Sequence, residues 1–160
     1  MQEITSTPAR PAAPLPMQIG DAFRSAGRTI TEADVVNFAC LSGDFNRLHV
    51  DAEYASGTPF GQRIAHGLLV LSILSGLTTQ SSGYRALEPA VLALVDLACR
   101  FPKATFIGDT IHVQVTVLER APASKPGRSV VTFRREAVNQ RGEVVVQADF
   151  KMLMRDEVAS

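Results

Sequence analysis

From Leu68 to Leu77 the chain runs Leu68, Leu69, Val70, Leu71, Ile73, Leu74 and Leu77, with only Ser72, Ser75 and Gly76 between them. A helix that is apolar nearly all round has to be covered on most of its faces. The run is also too short, and too rich in Ser and Gly, to span a bilayer. Something must wrap it, and the rest of the chain supplies the wrapping. Val91 to Phe101, Thr110 to Leu118, Ser129 to Asn139 and Glu143 to Met154 read as strands, with Ile111, Val113, Val115 and Val117 in clear alternation. Asn139-Gln140-Arg141-Gly142 suits a hairpin between the last two, and Ser124-Lys125-Pro126-Gly127 marks a longer turn before them. The order predicts an α+β fold in which a curved antiparallel sheet encloses one hydrophobic helix.

Upstream, Thr31 starts a second helix. Its hydroxyl can cap the first turn, Glu32 and Asp34 sit near the positive helix end, and Val35, Phe38, Ala39 and Leu41 form an apolar stripe. Gly43 ends it. Asp21 to Ile30 reads as a short edge strand anchored by Phe23. Residues 1–16 are rich in Pro and Ala and read as a disordered leader, ahead of a single domain over 17–155 and a tail over 156–160. The prolines at 8, 11, 14 and 16 interrupt any secretory pattern. Sixteen basic residues balance sixteen acidic ones, so no net field favours nucleic acid or an anionic membrane. Cys40 and Cys99 each lie in an apolar stretch and read as buried thiols in a reducing compartment, which points to the cytoplasm.

The segment from Asp44 to Arg63 is polar, punctuated by Gly57, Pro59 and Gly61, and long for a structureless loop. Loops of that length inside a compact domain are usually functional. An Asp five residues before a His is weak on its own, because Asp44 could simply cap a turn in a solvated loop. Its setting between a capped helix and a buried one gives the pair more weight. An imidazole can take and return a proton near neutral pH, and a carboxylate can orient it or share the proton. Neither a Ser-His-Asp order nor a nucleophile elbow is present, so the nucleophile is expected to be water. The Gly67 N–H falls at the start of the buried helix, where free amides and the helix dipole favour negative charge, as an oxyanion requires. His66 reads as a buried, hydrogen-bonded imidazole or as a ligand contact, and His112 as an outward-facing strand residue. His49, Asp51 and His66 do not have a recognisable metal-ligand spacing, and no metal is expected.

These motifs resemble the hydratase signature of the MaoC-like, (R)-specific enoyl-CoA hydratase family, whose fold is the hot-dog. The pattern Asp-x-Asn-Pro-x-His-x-Asp, followed by Ile/Val-x-His-Gly, is matched at Asp44, Asn46, His49, Asp51, Ile64, His66 and Gly67. Phe106-Ile107-Gly108-Asp109-Thr110 is similar to the family's entry into a sheet strand. The resemblance implies that Asp44 and His49 activate the water, that Gly67 N–H holds the enolate oxygen, that Asn46 orients the loop, and that Ser75 and His66 support the site. It implies syn addition of water to a trans-2-enoyl thioester to give the (R)-3-hydroxyacyl product. It implies no cofactor beyond the CoA of the substrate, and a homodimer or higher homo-oligomer. An unpaired sheet edge makes such self-association physically reasonable.

One position departs from the pattern: Arg47 stands where the family has Pro. Loss of Pro loosens the loop, whereas the guanidinium could grip a substrate carboxylate or the CoA phosphates, or point to solvent. That leaves a dicarboxylyl-CoA of mesaconyl or itaconyl type as an alternative substrate. Arg134-Arg135 reads either as a solvated strand end or as a phosphate contact. An acyl-CoA thioesterase and a non-catalytic acyl-binding subunit are the rival functions. The first would not need the Asp44–His49 pair, and the second would not need to keep it.

Overall fold

The structure is a computed structural model that describes residues 13–158. Most of the expected leader lies outside the described residues. Ala13–Pro14 (β1), however, already pairs with Glu157–Val158 (β8), so ordered chain precedes Met17 and part of the expected tail belongs to a small two-stranded sheet.

The expected edge strand is two short pieces, Ala22–Arg24 (β2) and Arg28–Thr29 (β3), both pairing with the strand Thr110–Pro122 (β5). The other strands are Val91–Arg100 (β4), Arg128–Asn139 (β6) and Val144–Arg155 (β7). All pairings are antiparallel, in the order β2-β5-β6-β7-β4. Register shifts interrupt β4, the β5–β6 pair at Val117/Glu119 and the β6–β7 pair at Ala137/Val138. Such bulges bend a strand and increase its twist, which lets the sheet curl.

The hydrophobic helix spans Gly67–Gln80 (α4) and packs on β5, β6 and β7. Leu69, Val70, Ile73, Leu74 and Leu77 are buried against Val113, Val115, Val117, Phe133, Val146 and Phe150. One row of side chains crosses the helix-facing side of the sheet as Phe23, Val115, Arg135, Ala148 and Cys99, each paired with the next.

The helix Glu32–Ser42 (α1) starts as expected. The Thr31 hydroxyl accepts the Asp34 N–H and the Asp34 carboxylate accepts the Thr31 N–H, a reciprocal capping box. It ends at Gly43, whose φ of 76° a side chain would resist. Val35 and Ala39 are buried, but Leu41 is 84% exposed, because the last turn runs beyond the buried positions. Cys40 is exposed rather than buried: it follows Ala39 and so points about 100° away around the helix. Cys99 is half-buried, and burial pushes its thiol pKa up.

Two stretches expected to be loops contain short helices. Arg47–Val50 (α2) and Ala52–Ser56 (α3) occupy the segment after Gly43, and Ser82–Arg85 (α5) follows α4, with a 3-10 turn at Glu88–Ala90. Each of the three helices is capped by a short polar side chain, Asn46, Asp51 and Ser81 respectively.

Candidate active site

Capping side chains build the site. The Asp44 carboxylate accepts the Asn46 N–H at 3.2 Å, and the Asn46 side-chain Oδ1 accepts the Leu48 N–H at 3.0 Å, which starts the short helix α2 that carries His49. His49 Nδ1 lies 2.8 Å from the Ile64 carbonyl oxygen, while the Ile64 N–H donates to the Leu48 carbonyl at 3.3 Å. A carbonyl only accepts, so Nδ1 carries the proton and Nε2 keeps its lone pair free. The loop is tied back to α1 by Arg63, whose guanidinium grips Glu32 through two bonds of 2.8 and 2.5 Å.

His66 immediately precedes α4. Its Nε2 lies 2.9 Å from the Asp44 carbonyl oxygen and therefore donates, fixing the backbone that carries the carboxylate. Its ring stacks on His49 with centroids 3.8 Å apart and planes 30° apart, and Phe38 closes the other side at 5.0 Å. The residue is 2% exposed, and Nδ1 is buried without a hydrogen-bond partner.

Asp44, His49 and His66 each offer a ligand-type atom, all within 4.8 Å of one another. These three side chains are the ones the structure brings together. Their spacing suits two groups sharing one water, and it would also suit a small cation. Asp51, grouped with the histidines in the sequence, is turned away: it accepts the Tyr54 N–H at 2.9 Å and pairs with Arg47 at 3.0 Å. The Tyr54 bond, then Arg47, holds its carboxyl below the usual carboxylate range.

His66 gives α4 no side-chain cap, so the first-turn amides, Gly67 among them, have no side-chain acceptor. A cavity of about 540 Å³ opens there, lined by Ile64, Gly67, Val70, Phe101, Val145 and Val146 among others. Phe101 presses on Gly67, and a Cβ at that position would meet the ring carbons at 2.9 Å. Ser75 stands on α4, half-buried, about 12 Å along the axis from Gly67 at ~1.5 Å per residue. It is therefore not part of the histidine cluster. A second cavity, about 320 Å³, is lined by Leu15, Met17 and Ile19 among others and by none of the candidate site residues named from sequence.

The basic residues behave differently from expectation. Arg47 is held by Asp51 and lies over the Tyr54 ring at 4.4 Å, so the short helices already engage its guanidinium. Arg134 makes two 2.9 Å bonds to Asp149 across the strands. Arg135 is neither a solvated strand end nor an exposed phosphate contact: it is 2% exposed and faces the helix. The alternation Val131, Phe133, Ala137 along β6 carries that signal. His112 does alternate away from the helix, yet its Nε2 is buried without a partner, and burial, then Arg24, lowers its pKa. The Ile64 carbonyl that orients His49 left no mark in the sequence, because any residue could supply it.

Residues 15–139 match the family model of the MaoC-like domain. The chain is 36% identical over 133 residues to Protein MaoC of Klebsiella aerogenes, an alignment covering 74% of this chain but only 38% of that longer protein. It is 35% identical over 130 residues to an (R)-specific enoyl-CoA hydratase of Rhodospirillum rubrum, covering 81% of this chain and 83% of the relative. The crystal structure of the MaoC-like dehydratase from Rhodospirillum rubrum superposes with a TM-score of 0.77 at 31% identity, over 88% of this chain and 94% of that one. The polar loop, the buried helix and the curved sheet thus fall within one homologous unit, and the chain belongs to the MaoC-like domain family with its hot-dog fold.

Proposed function

We propose that the protein is a hydro-lyase that adds water reversibly to a trans-2-enoyl thioester, giving the (R)-3-hydroxyacyl thioester. Hydration of enoyl-CoA is the activity named for its relatives from Rhodospirillum rubrum and Aeromonas caviae. The observation that carries the reading is the Asp44–His49 cluster, with His49 Nδ1 committed to Ile64 and Nε2 left free. Water held between the Asp44 carboxylate and His49 Nε2 loses one proton to the pair as its oxygen bonds to C3. The C2=C3 electron pair moves toward the thioester carbonyl, and the Gly67 N–H receives the enolate oxygen. The proton then returns to C2, so the reaction is redox-neutral and consumes one water. His66 steadies both partners, through the Asp44 carbonyl and by stacking on His49.

The pair works without a resident metal or cofactor in this proposal, and CoA enters as part of the substrate. A second copy of the chain would pair along β4. That edge strand exposes Leu94, Val95 and Leu97 at 49, 52 and 39%, an unguarded edge of the kind that invites another strand. No helix among the described residues is long and apolar enough to cross a membrane. We place the enzyme in the cytoplasm, where its thiols stay reduced.

Hydration of crotonyl-CoA, followed by loss of enoyl absorbance, tests the reading. Asp44→Asn and His49→Ala are each expected to lower kcat about 10²-fold or more, the usual contribution of a general acid–base group. Chelator treatment is expected to leave the rate unchanged. Release of free CoA thiol in place of hydration would establish the thioesterase instead.

A further inference from the structure

Arg135 is a cation enclosed by the core. It is 2% exposed, its Nε has no hydrogen-bond partner, and among the described residues it joins no ion pair, although Arg134 beside it pairs with Asp149. Its guanidinium carbon lies 3.9 Å from the Phe150 ring centre and 5.7 Å from that of Tyr84. Rings offer π faces to a cation, and its Nε–H is buried without an acceptor. A guanidinium so placed matches the planar, two-oxygen geometry of a carboxylate.

Its position relates it to the cavity at Gly67, which Asp44, His49 and His66 do not line. That cavity is bounded by Gly67 and Val70 on α4 and by Val145 and Val146 on β7. Val146 pairs with Ala137, and the next helix-facing pair along the same strands is Ala148 with Arg135. Two residues of strand cover about 7 Å. Ala137 pairs with the cavity-lining Val146 and Ala148 pairs with Arg135, so the cavity wall and the Arg135 row are neighbours on the sheet, and the guanidinium extends on over Phe150. An acyl chain whose thioester carbonyl sits at Gly67 and which runs along β7 therefore heads toward Arg135.

We propose that Arg135 is a specificity residue, and that the substrate is a short enoyl thioester whose far end is a carboxylate. The inference rests on the hydratase reading for the position of the thioester. The carboxylate supplies the counter-charge that the fold withholds, in a place shielded from water where such a pair is strong. Arg47, the sequence's candidate for this role, is engaged by Asp51 and Tyr54.

The test compares crotonyl-CoA with an enoyl-CoA carrying a terminal carboxylate, on the wild type, Arg135→Met and Arg135→Lys. The wild type is expected to favour the carboxylate-ended substrate in kcat/KM. Arg135→Met should lower the ratio of the two kcat/KM values by about 30-fold or more, as loss of a buried charge partner does, with Arg135→Lys between. Equal effects on both substrates, or no preference in the wild type, would overturn the proposal. Should the wild type hydrate neither compound, the hydratase reading fails by itself. The saturated mono- and dicarboxylyl thioesters then separate the two ideas by calorimetric titration. Tighter binding of the dicarboxylyl compound that disappears in Arg135→Met upholds the role of Arg135, and equal binding ends it.

Discussion

Methionine in place of Arg135 keeps a long apolar stem between Phe150 and Tyr84 and removes only the charged fork. Burial is the main influence on the guanidinium, partly countered by Tyr84, and together they push its pKa from 12.5 down to about 10. At about 1.36 kcal/mol per unit, holding the charge inside the fold costs roughly 3 kcal/mol. Against this stands attraction to the Phe150 and Tyr84 rings, about 0.5–2 kcal/mol for a cation over an aromatic face. Methionine fills irregular gaps and makes its own contacts with ring edges, so little packing is lost. The net expectation is a gain of about 1–2 kcal/mol, in the direction seen when buried charges give way to apolar residues of similar size. For a domain of this length that raises Tm by about 3–6 °C.

Urea and thermal unfolding at pH 7 measure the difference, and pH dependence supplies an internal check. The folded-state pKa of Arg135 is depressed, so above pH about 10 the folded guanidinium sheds its proton while the unfolded one keeps it. The unfolded state then binds more protons and wild-type stability rises with pH. The gap to Arg135→Met should therefore narrow above that pH. A variant less stable than the wild type by about 1 kcal/mol or more at pH 7, the average effect of a point substitution, would refute the reasoning. It would mean that the two rings stabilise the cation fully and that no unmet charge is stored there.

Two further outcomes follow from the geometry. In Gly67→Ala the new Cβ meets Phe101 at 2.9 Å and shifts the amide proposed for the enolate oxygen. The kcat for crotonyl-CoA should fall by about 10²-fold, as for loss of one oxyanion donor, and adding Phe101→Ala should recover part of it in a double-mutant cycle. Burial, then Arg24, lowers the His112 pKa below 6.5, so its neutral form contributes stability above that pH that is lost as pH falls toward the folded value. Urea unfolding between pH 7.5 and 5.5 should show this slope in the wild type and a shallower one in His112→Asn.

What the sequence disclosed depended on how local the governing physics is. The cap at Thr31, the stop at Gly43 and the start of α4 at Gly67 each depend on a few neighbouring residues, and each is legible in order along the chain. The helices in the polar segment are local too, but only four and five residues long. They produce no apolar period to read, and their signals, Asn46 and Asp51, look like ordinary turn residues. The Asp44–His49 motif was legible as a pattern, whereas its geometry was not. The orientation of His49 depends on a backbone carbonyl fifteen positions away, and carbonyls have no residue type.

Arg135 shows the same limit from the other side. Reading β6 by composition groups Arg134, Arg135 and Glu136 as a polar patch, but strand geometry sends neighbours to opposite faces. Arg134 finds Asp149 on the outer face, while Arg135 joins Val131, Phe133 and Ala137 beneath α4. A chain optimised only for stability would place an apolar residue there, because local pattern and burial both ask for one. A charge kept against both points to a requirement outside the folded state, which the proposed carboxylate-ended substrate would supply. In the proposed reaction the loop would act on the thioester end of the substrate and the sheet on its far end, with the Gly67 amide of α4 holding the carbonyl between them.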